Sequence, residues 1–185
     1  MAQGIDVPIG PATVEYGEDT SKVVFDVTKG GIVFSAGTTK QDTTIDQLGD
    51  TIVKSILKGR TAQVTVPFAL HDLEKIAAAI PNSKYVEDAT DPENVKKKVI
   101  VSAQAGYNFL KNAKKLVIKP TDPAATPNDW ITMPLAGVMA DPEYTYNSDN
   151  ERVTNITFVG YPDMENGNQI YIMGDETAVD PAPAG

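Results

Sequence analysis

Thr61-Ala62-Gln63-Val64-Thr65-Val66-Pro67-Phe68-Ala69-Leu70 decides the fold class of this 185-residue chain. Val64, Val66, Phe68 and Leu70 fall on one side of it, and Gln63, Thr65 and Pro67 on the other. A period of two, carried by β-branched and aromatic residues, is the pattern of a half-buried strand and not of a helix. Pro67 has no N–H to give to a ladder, so an edge or a bulge is expected there.

Working outward, the residues just downstream carry the one clear helical pattern. His71-Asp72 offers a cap, Glu74 adds charge to the first turn, and Leu73, Ile76, Ala77 and Ile80 form an apolar stripe. Pro81-Asn82 ends it. Upstream, residues 51–58 are ambiguous. Ile52, Val53, Ile56 and Leu57 would make a helical stripe, yet their β-branched content favours a strand. Residues 39–46 alternate without an apolar face. Thr39, Gln41, Thr43 and Ile45 lie on one side, and Lys40, Asp42, Thr44 and Asp46 on the other. Such a stretch reads as a strand exposed on both sides, or an arm that orders against a neighbour.

Further strands are expected at residues 12–16, 23–27, 32–35, 99–102, 116–119, 130–133, 136–139, 154–161 and 169–173. Gly30-Gly31 suggests a hairpin between the second and third of these, and Asn166-Gly167 a turn into the last. Residues 85–98 read as charged and irregular, with Lys96-Lys97-Lys98 as a solvated turn. The prediction is a mainly β fold, a β-sandwich or partly closed barrel with one packed α-helix and a long extended loop or arm. No repeat or linker divides it. Residues 1–175 are expected to form one domain, and 176–185 an acidic, Pro/Ala-rich mobile tail.

Composition argues mostly by exclusion. With 0 cysteines there are no disulfides, thiol catalysis or Cys-containing zinc sites. No apolar run approaches the roughly 20 residues of a membrane helix, and Met1-Ala2-Gln3-Gly4-Ile5-Asp6 has neither the basic stretch nor the apolar core of a signal peptide. A net charge of -9 disfavours phosphate binding through a basic groove. The single histidine, His71, reads as a cap-region residue. Asp163-Met164-Glu165-Asn166-Gly167 has Gly174 where a calcium loop needs its twelfth-position Glu, and reads as a hairpin turn. Neither GxxxxGK[ST] nor GxGxxG occurs. Trp130 and the tyrosines are too scattered for a stacking platform. No catalytic residue, cofactor or metal ligand is expected.

The order of segments resembles the tail tube (major tail) protein family of bacteriophages. The likeness runs from Gly10-Pro11-Ala12-Thr13-Val14-Glu15-Tyr16-Gly17 through Thr28-Lys29-Gly30-Gly31-Ile32-Val33-Phe34. Its centre is Leu57-Lys58-Gly59-Arg60-Thr61-Ala62-Gln63-Val64-Thr65-Val66-Pro67-Phe68-Ala69 and the helix that follows. It continues through Asp149-Asn150-Glu151-Arg152-Val153 and Ile156-Thr157-Phe158-Val159-Gly160-Tyr161-Pro162-Asp163, closing at Ile170-Tyr171-Ile172-Met173-Gly174-Asp175. The motifs are patterns of fold, not of chemistry. Tube proteins of contractile injection systems and type VI secretion share that fold.

The resemblance implies hexameric rings stacked into a tube, a place in the virion tail, and assembly in the host cytoplasm. Implied partners are other copies of the chain, tape measure, baseplate and terminator proteins, a sheath if the tail contracts, and DNA in transit without specific binding. No membrane partner is implied. Thr39, Gln41, Thr43, Ile45, Leu48 and Ile52 are then the candidate inter-subunit arm, and Asp42 and Asp46 candidate lumen-facing acids. Two other readings stay open: another β-rich ring component (adaptor, terminator or baseplate), and a carbohydrate-binding β-sandwich, disfavoured by 1 tryptophan.

Overall fold

A computed structural model of the protein describes residues 10–149 and 151–179. The fold is mainly β, with one α-helix and a large antiparallel sheet. Its strands are β1 (Ala12–Tyr16), β2 (Val23–Phe25), β3 (Val33–Thr44), β4 (Ile52–Phe68), β5 (Ser83–Asp88), β6 (Lys96–Val101), β7 (Lys114–Pro120), β8 (Ile131–Ala140), β9 (Thr154–Tyr161) and β10 (Ile172–Met173). The helix α1 (Leu73–Ala79) lies between β4 and β5. The main sheet runs β2-β1-β7-β8-β9-β4-β3, with β10 added beside β8, while β5 and β6 pair only with each other.

The sheet curls over one core. Phe25 of β2 meets Phe68 of β4 edge-on at 5.2 Å, and Tyr16 of β1 meets Phe158 of β9 at 5.0 Å. Strands far apart in sheet order therefore share a single apolar interior, built on Val14, Phe25, Val64, Val66, Phe68, Leu116, Ile156 and Phe158. The curl does not close into a barrel. The nearest approach is the chain after β2, which crosses to the end of β4: Lys29 N–H donates to the Pro67 carbonyl and Ala69 N–H to the Val27 carbonyl, each at 3.0 Å. N–H and C=O of one strand residue point to the same side. The donor missing at Pro67 thus faces this margin, just beyond the last β3–β4 pair, Val33↔Thr65. That is the edge the sequence demanded.

α1 forms where its stripe and cap predict. Asp72 accepts from the amides of Glu74 at 3.0 Å and Lys75 at 3.3 Å, and Ile76 and Ala79 pack into the core. Asn82 follows with a left-handed φ of 54°. Asp72→Ala leaves two first-turn donors without this partner and should cost about 1 kcal/mol of stability in urea unfolding.

Four local expectations are corrected. The segments flanking Gly30-Gly31 do not pair, because β2 lies against β1 (Val14↔Phe25), where Phe25 is fully buried, and β3 lies against β4. The segments around Pro134 form one strand, β8, since a register shift between Lys114↔Ala136 and Leu116↔Met133 absorbs the proline. Lys96-Lys97-Lys98 is not a turn but the start of β6, and residues 83–88 form its partner. The Asn166-Gly167 turn is present, closed by the Asp163↔Gln169 bridge, but the last strand expected at 169–173 is only β10, Ile172–Met173, paired with β8. Of the tail read as 176–185, Glu176 holds an ion pair with Lys115, and residues 180–185 lie outside the described residues.

Candidate functional site

β3 and β4 outrun the rest of the sheet. β9 flanks β4 from Phe68 only as far as Gln63, whereas β3 stays paired to it as far as Thr44↔Ile52. From Thr61 to Ile52, β3 is the only strand beside β4 among the described residues, so residues 37–61 form a free hairpin, an arm. At about 3.3 Å per residue its eight residues from Gly37 to Thr44 extend roughly 25 Å. Every residue from Ser35 to Thr61 is exposed.

The arm's composition does not match its exposure. Ile45, Leu48, Ile52, Val53, Ile56 and Leu57 are each 42% to 54% exposed. Among the described residues, none of these six large apolar side chains joins the core. Two bulges, between Thr39 and Lys40 and between Thr43 and Thr44, leave Lys58 and Val53 without opposed residues. They also sharpen the local twist of the ribbon. The register gives one face Lys40, Leu57, Asp42 and Ser55, and the other Gln41, Ile56, Thr43 and Lys54.

Of the candidate arm residues, Thr39, Gln41 and Thr43 lie on β3, Ile45 and Leu48 at the tip, and Ile52 at the start of β4. Val53, Ile56 and Leu57, from the segment whose sequence left helix and strand both open, belong with them on β4. Nothing in the sequence marked them as exposed, because an apolar strand looks the same whether its own domain or a neighbour covers it.

The two candidate acids are placed differently. Asp42 is on the arm's middle, where Ser55 Oγ donates to it at 2.5 Å and Lys40 pairs with it at 3.0 Å. The Ser55 hydrogen bond, then Lys40, hold its carboxyl below the usual range. Asp46 is not on the strand but opens a 3₁₀ turn at the tip, Asp46–Leu48. They therefore do not form one alternating row of carboxylates. His71 directly precedes the cap residue Asp72 and lines a shallow groove with Leu73, Tyr85 and Lys97.

The solvent face of the sheet beside the arm is the second feature. In register, Val33, Thr65, Thr157 and Met139 form one row across β3, β4, β9 and β8, and Ser35, Gln63, Val159 and Gly137 the next. Gly37, Thr61 and Tyr161 continue it, and Asn155 and Pro67 flank it. None of these side chains is charged, in a chain that is 22% Asp, Glu, Lys and Arg. Solvated surfaces usually carry about 25–35% charge. Val33, Val159 and Met139 are 40% to 56% exposed on this face. At Gly137 a Cβ would stand 2.7 Å from the Tyr161 ring and 3.3 Å from Phe109, so the glycine makes room for both.

No protein-family model matches the chain, and no curated protein matches it.

Proposed function

We propose that the chain is the structural subunit of a bacteriophage tail tube, polymerising as stacked hexameric rings that form the conduit for DNA delivery. The arm carries this reading. Six large apolar side chains on a free hairpin stay 42% to 54% exposed among the described residues. A second subunit supplies their burial. Covering the exposed part of each contributes on the order of 1 kcal/mol. Together they offset much of the about 4–15 kcal/mol that association costs in lost freedom.

Two further observations support it. β3 is the last strand of the sheet, its outer edge has no strand partner among the described residues, and only Lys40 and Asp42 are charged along its 12 residues. Proteins ordinarily protect an edge of that length, and an open one suits pairing with a neighbouring strand. The uncharged face suits the wall of a conduit, since it offers phosphate no cation to hold it. Hexamers, DNA and the tape measure, baseplate, terminator and sheath partners come from the sequence resemblance.

Negative-stain electron microscopy of the concentrated protein tests the proposal. Long tubes of stacked rings are expected. Isolated rings would move the assignment to an adaptor, terminator or baseplate ring, and monodisperse monomers at all concentrations would overturn it.

A further inference from the structure

A second hairpin leaves the body, and the assembly reading above makes no use of it. β5 and β6 pair from Ser83↔Val101 to Asp88↔Lys96, outside the main sheet. Directly opposed residues share a face. One face carries Ser83, Tyr85, Glu87, Lys97, Val99 and Val101. It leans on α1 through Ser83 Oγ, which donates to the Ala77 carbonyl at 2.6 Å, and its one cation, Lys97, pairs with Glu87 at 3.3 Å. That face is electrostatically satisfied.

The opposite face carries Lys84, Val86, Asp88, Lys96, Lys98 and Ile100. Asp88 is engaged by the amide and hydroxyl of Thr90, and Ile100 is 47% exposed. None of the three lysines has an acid in ion-pair range among the described residues. This is not how the chain treats cations elsewhere. Lys22, Lys29, Lys40, Lys75, Lys115 and Lys119 are all ion-paired, and Lys114 and Arg152 lie over tyrosine rings. Apart from Lys111, the unpaired cations gather on the two hairpins: Lys54, Lys58 and Arg60 on the arm, and Lys84, Lys96 and Lys98 here. Residues 37–61 carry 4 cations and 3 acids, and residues 83–101 carry 4 of each, so the acidic excess of the chain, -9 in all, lies outside the two hairpins.

We infer that the Lys84–Lys96–Lys98 face of β5–β6 docks on the acidic body of a second copy of this chain, as a contact separate from the arm. The inference rests on the chain being a self-assembling subunit. Unpaired lysines on one copy meet unpaired carboxylates on the next, while Val86 and Ile100 supply apolar contact between them. Charge pairs of this kind steer encounter and fix register more than they add affinity. Nucleic acid fits the face less well. Three cations release few counterions, and the face has no aromatic ring on which a base could stack.

The test uses the full chain with Lys84→Thr, Lys96→Thr and Lys98→Thr, which keeps strand propensity while removing charge. Far-ultraviolet circular dichroism and thermal unfolding should match the wild type. In sedimentation velocity at low salt, self-association should weaken about tenfold, and the salt dependence of the wild type should largely vanish. The same three changes should also weaken association of a chain whose arm has been shortened. Association identical to wild type at every salt overturns the inference and leaves the arm reading standing. If the wild type does not self-associate at all, both fall. Should the variant lose binding to heparin or single-stranded DNA while associating normally, the face belongs to a polyanion and the inference is overturned.

Discussion

Replacing residues 39–59 by Asn-Gly should give a folded protein that forms no tubes. The register dictates the cut. Thr38 opposes Arg60, so a two-residue loop joins them directly, and Asn-Gly favours the type I′ turn whose twist matches an antiparallel ribbon. Every core residue and every β4–β9 pair is retained, from Gln63↔Val159 to Phe68↔Thr154. The stability cost should therefore stay within about 0.5 kcal/mol, the range of surface changes. A cut at 40–50 alone is less clean, because it strands Ile52, Val53, Ile56 and Leu57 on an unpaired segment of β4. On the proposed reading, light scattering and electron microscopy should show monomers or single rings at concentrations where the intact chain is expected to elongate. A milder pair, Ile56→Ser with Leu57→Ser, removes on the order of 2 kcal/mol of burial per arm and should raise the critical concentration by tenfold or more. In the intact chain, hydrogen exchange along 37–61 should be fast before assembly and slow within tubes. Long tubes from the shortened chain would show that the arm does not hold rings together.

The elements most legible in the sequence were those whose local chemistry and tertiary surroundings agree. The alternation up to Phe68 and the capped stripe after Asp72 each specify one state, and the structure has both, although β4 ends at Phe68 and leaves Leu70, expected on the buried side, 42% exposed. Residues 154–161 were read to the residue as β9, because their alternation is buried on one side along its whole length. Misreadings fall where pairing is decided at a distance. Gly30 and Gly31 do adopt left-handed φ values of 100° and 86°, but a turn does not choose its strands' partners, and Phe25 draws β2 to β1. Residues 83–88 do not read as a strand because Lys84, Glu87 and Asp88 mask one that packs beside α1, outside the main sheet. The polar alternation at 39–46 disclosed an exposed strand, but its length became visible only once β4 was seen to run unbroken from Ile52 to Phe68. The uncharged face was not legible at all. Its members come from β3, β4, β8 and β9, and no single segment looks unusual in composition.

That face supports the last prediction, which rests on the proposed reading. Gln63 and Thr157 point outward on adjacent strands in adjacent rows, opposite to buried Val64, Phe158 and Ile156. Gln63→Lys with Thr157→Lys places two cations there without touching the core, at a cost below about 1 kcal/mol. DNA carries one negative charge per roughly 1.7 Å of helix axis, so lysines repeated in every subunit of every ring would hold a moving duplex by many weak contacts. Tubes should still assemble and DNA delivery should slow or stop, with recovery as salt rises through screening. Gln63→Glu with Thr157→Glu should leave delivery intact. The matched experiment is Asp42→Lys with Asp46→Lys. Between the arm's two bulges, Asp42 shares a face with Lys40, while Gln41, Thr43 and Ile56 occupy the other, and its carboxylate is already paired with Lys40. Arrest by the Gln63 and Thr157 lysines but not by the Asp42 and Asp46 lysines assigns the path to the uncharged face. The reverse result assigns it to the two acids of the arm. Unimpaired delivery through well-formed tubes of both variants would remove both surfaces from the path of the DNA.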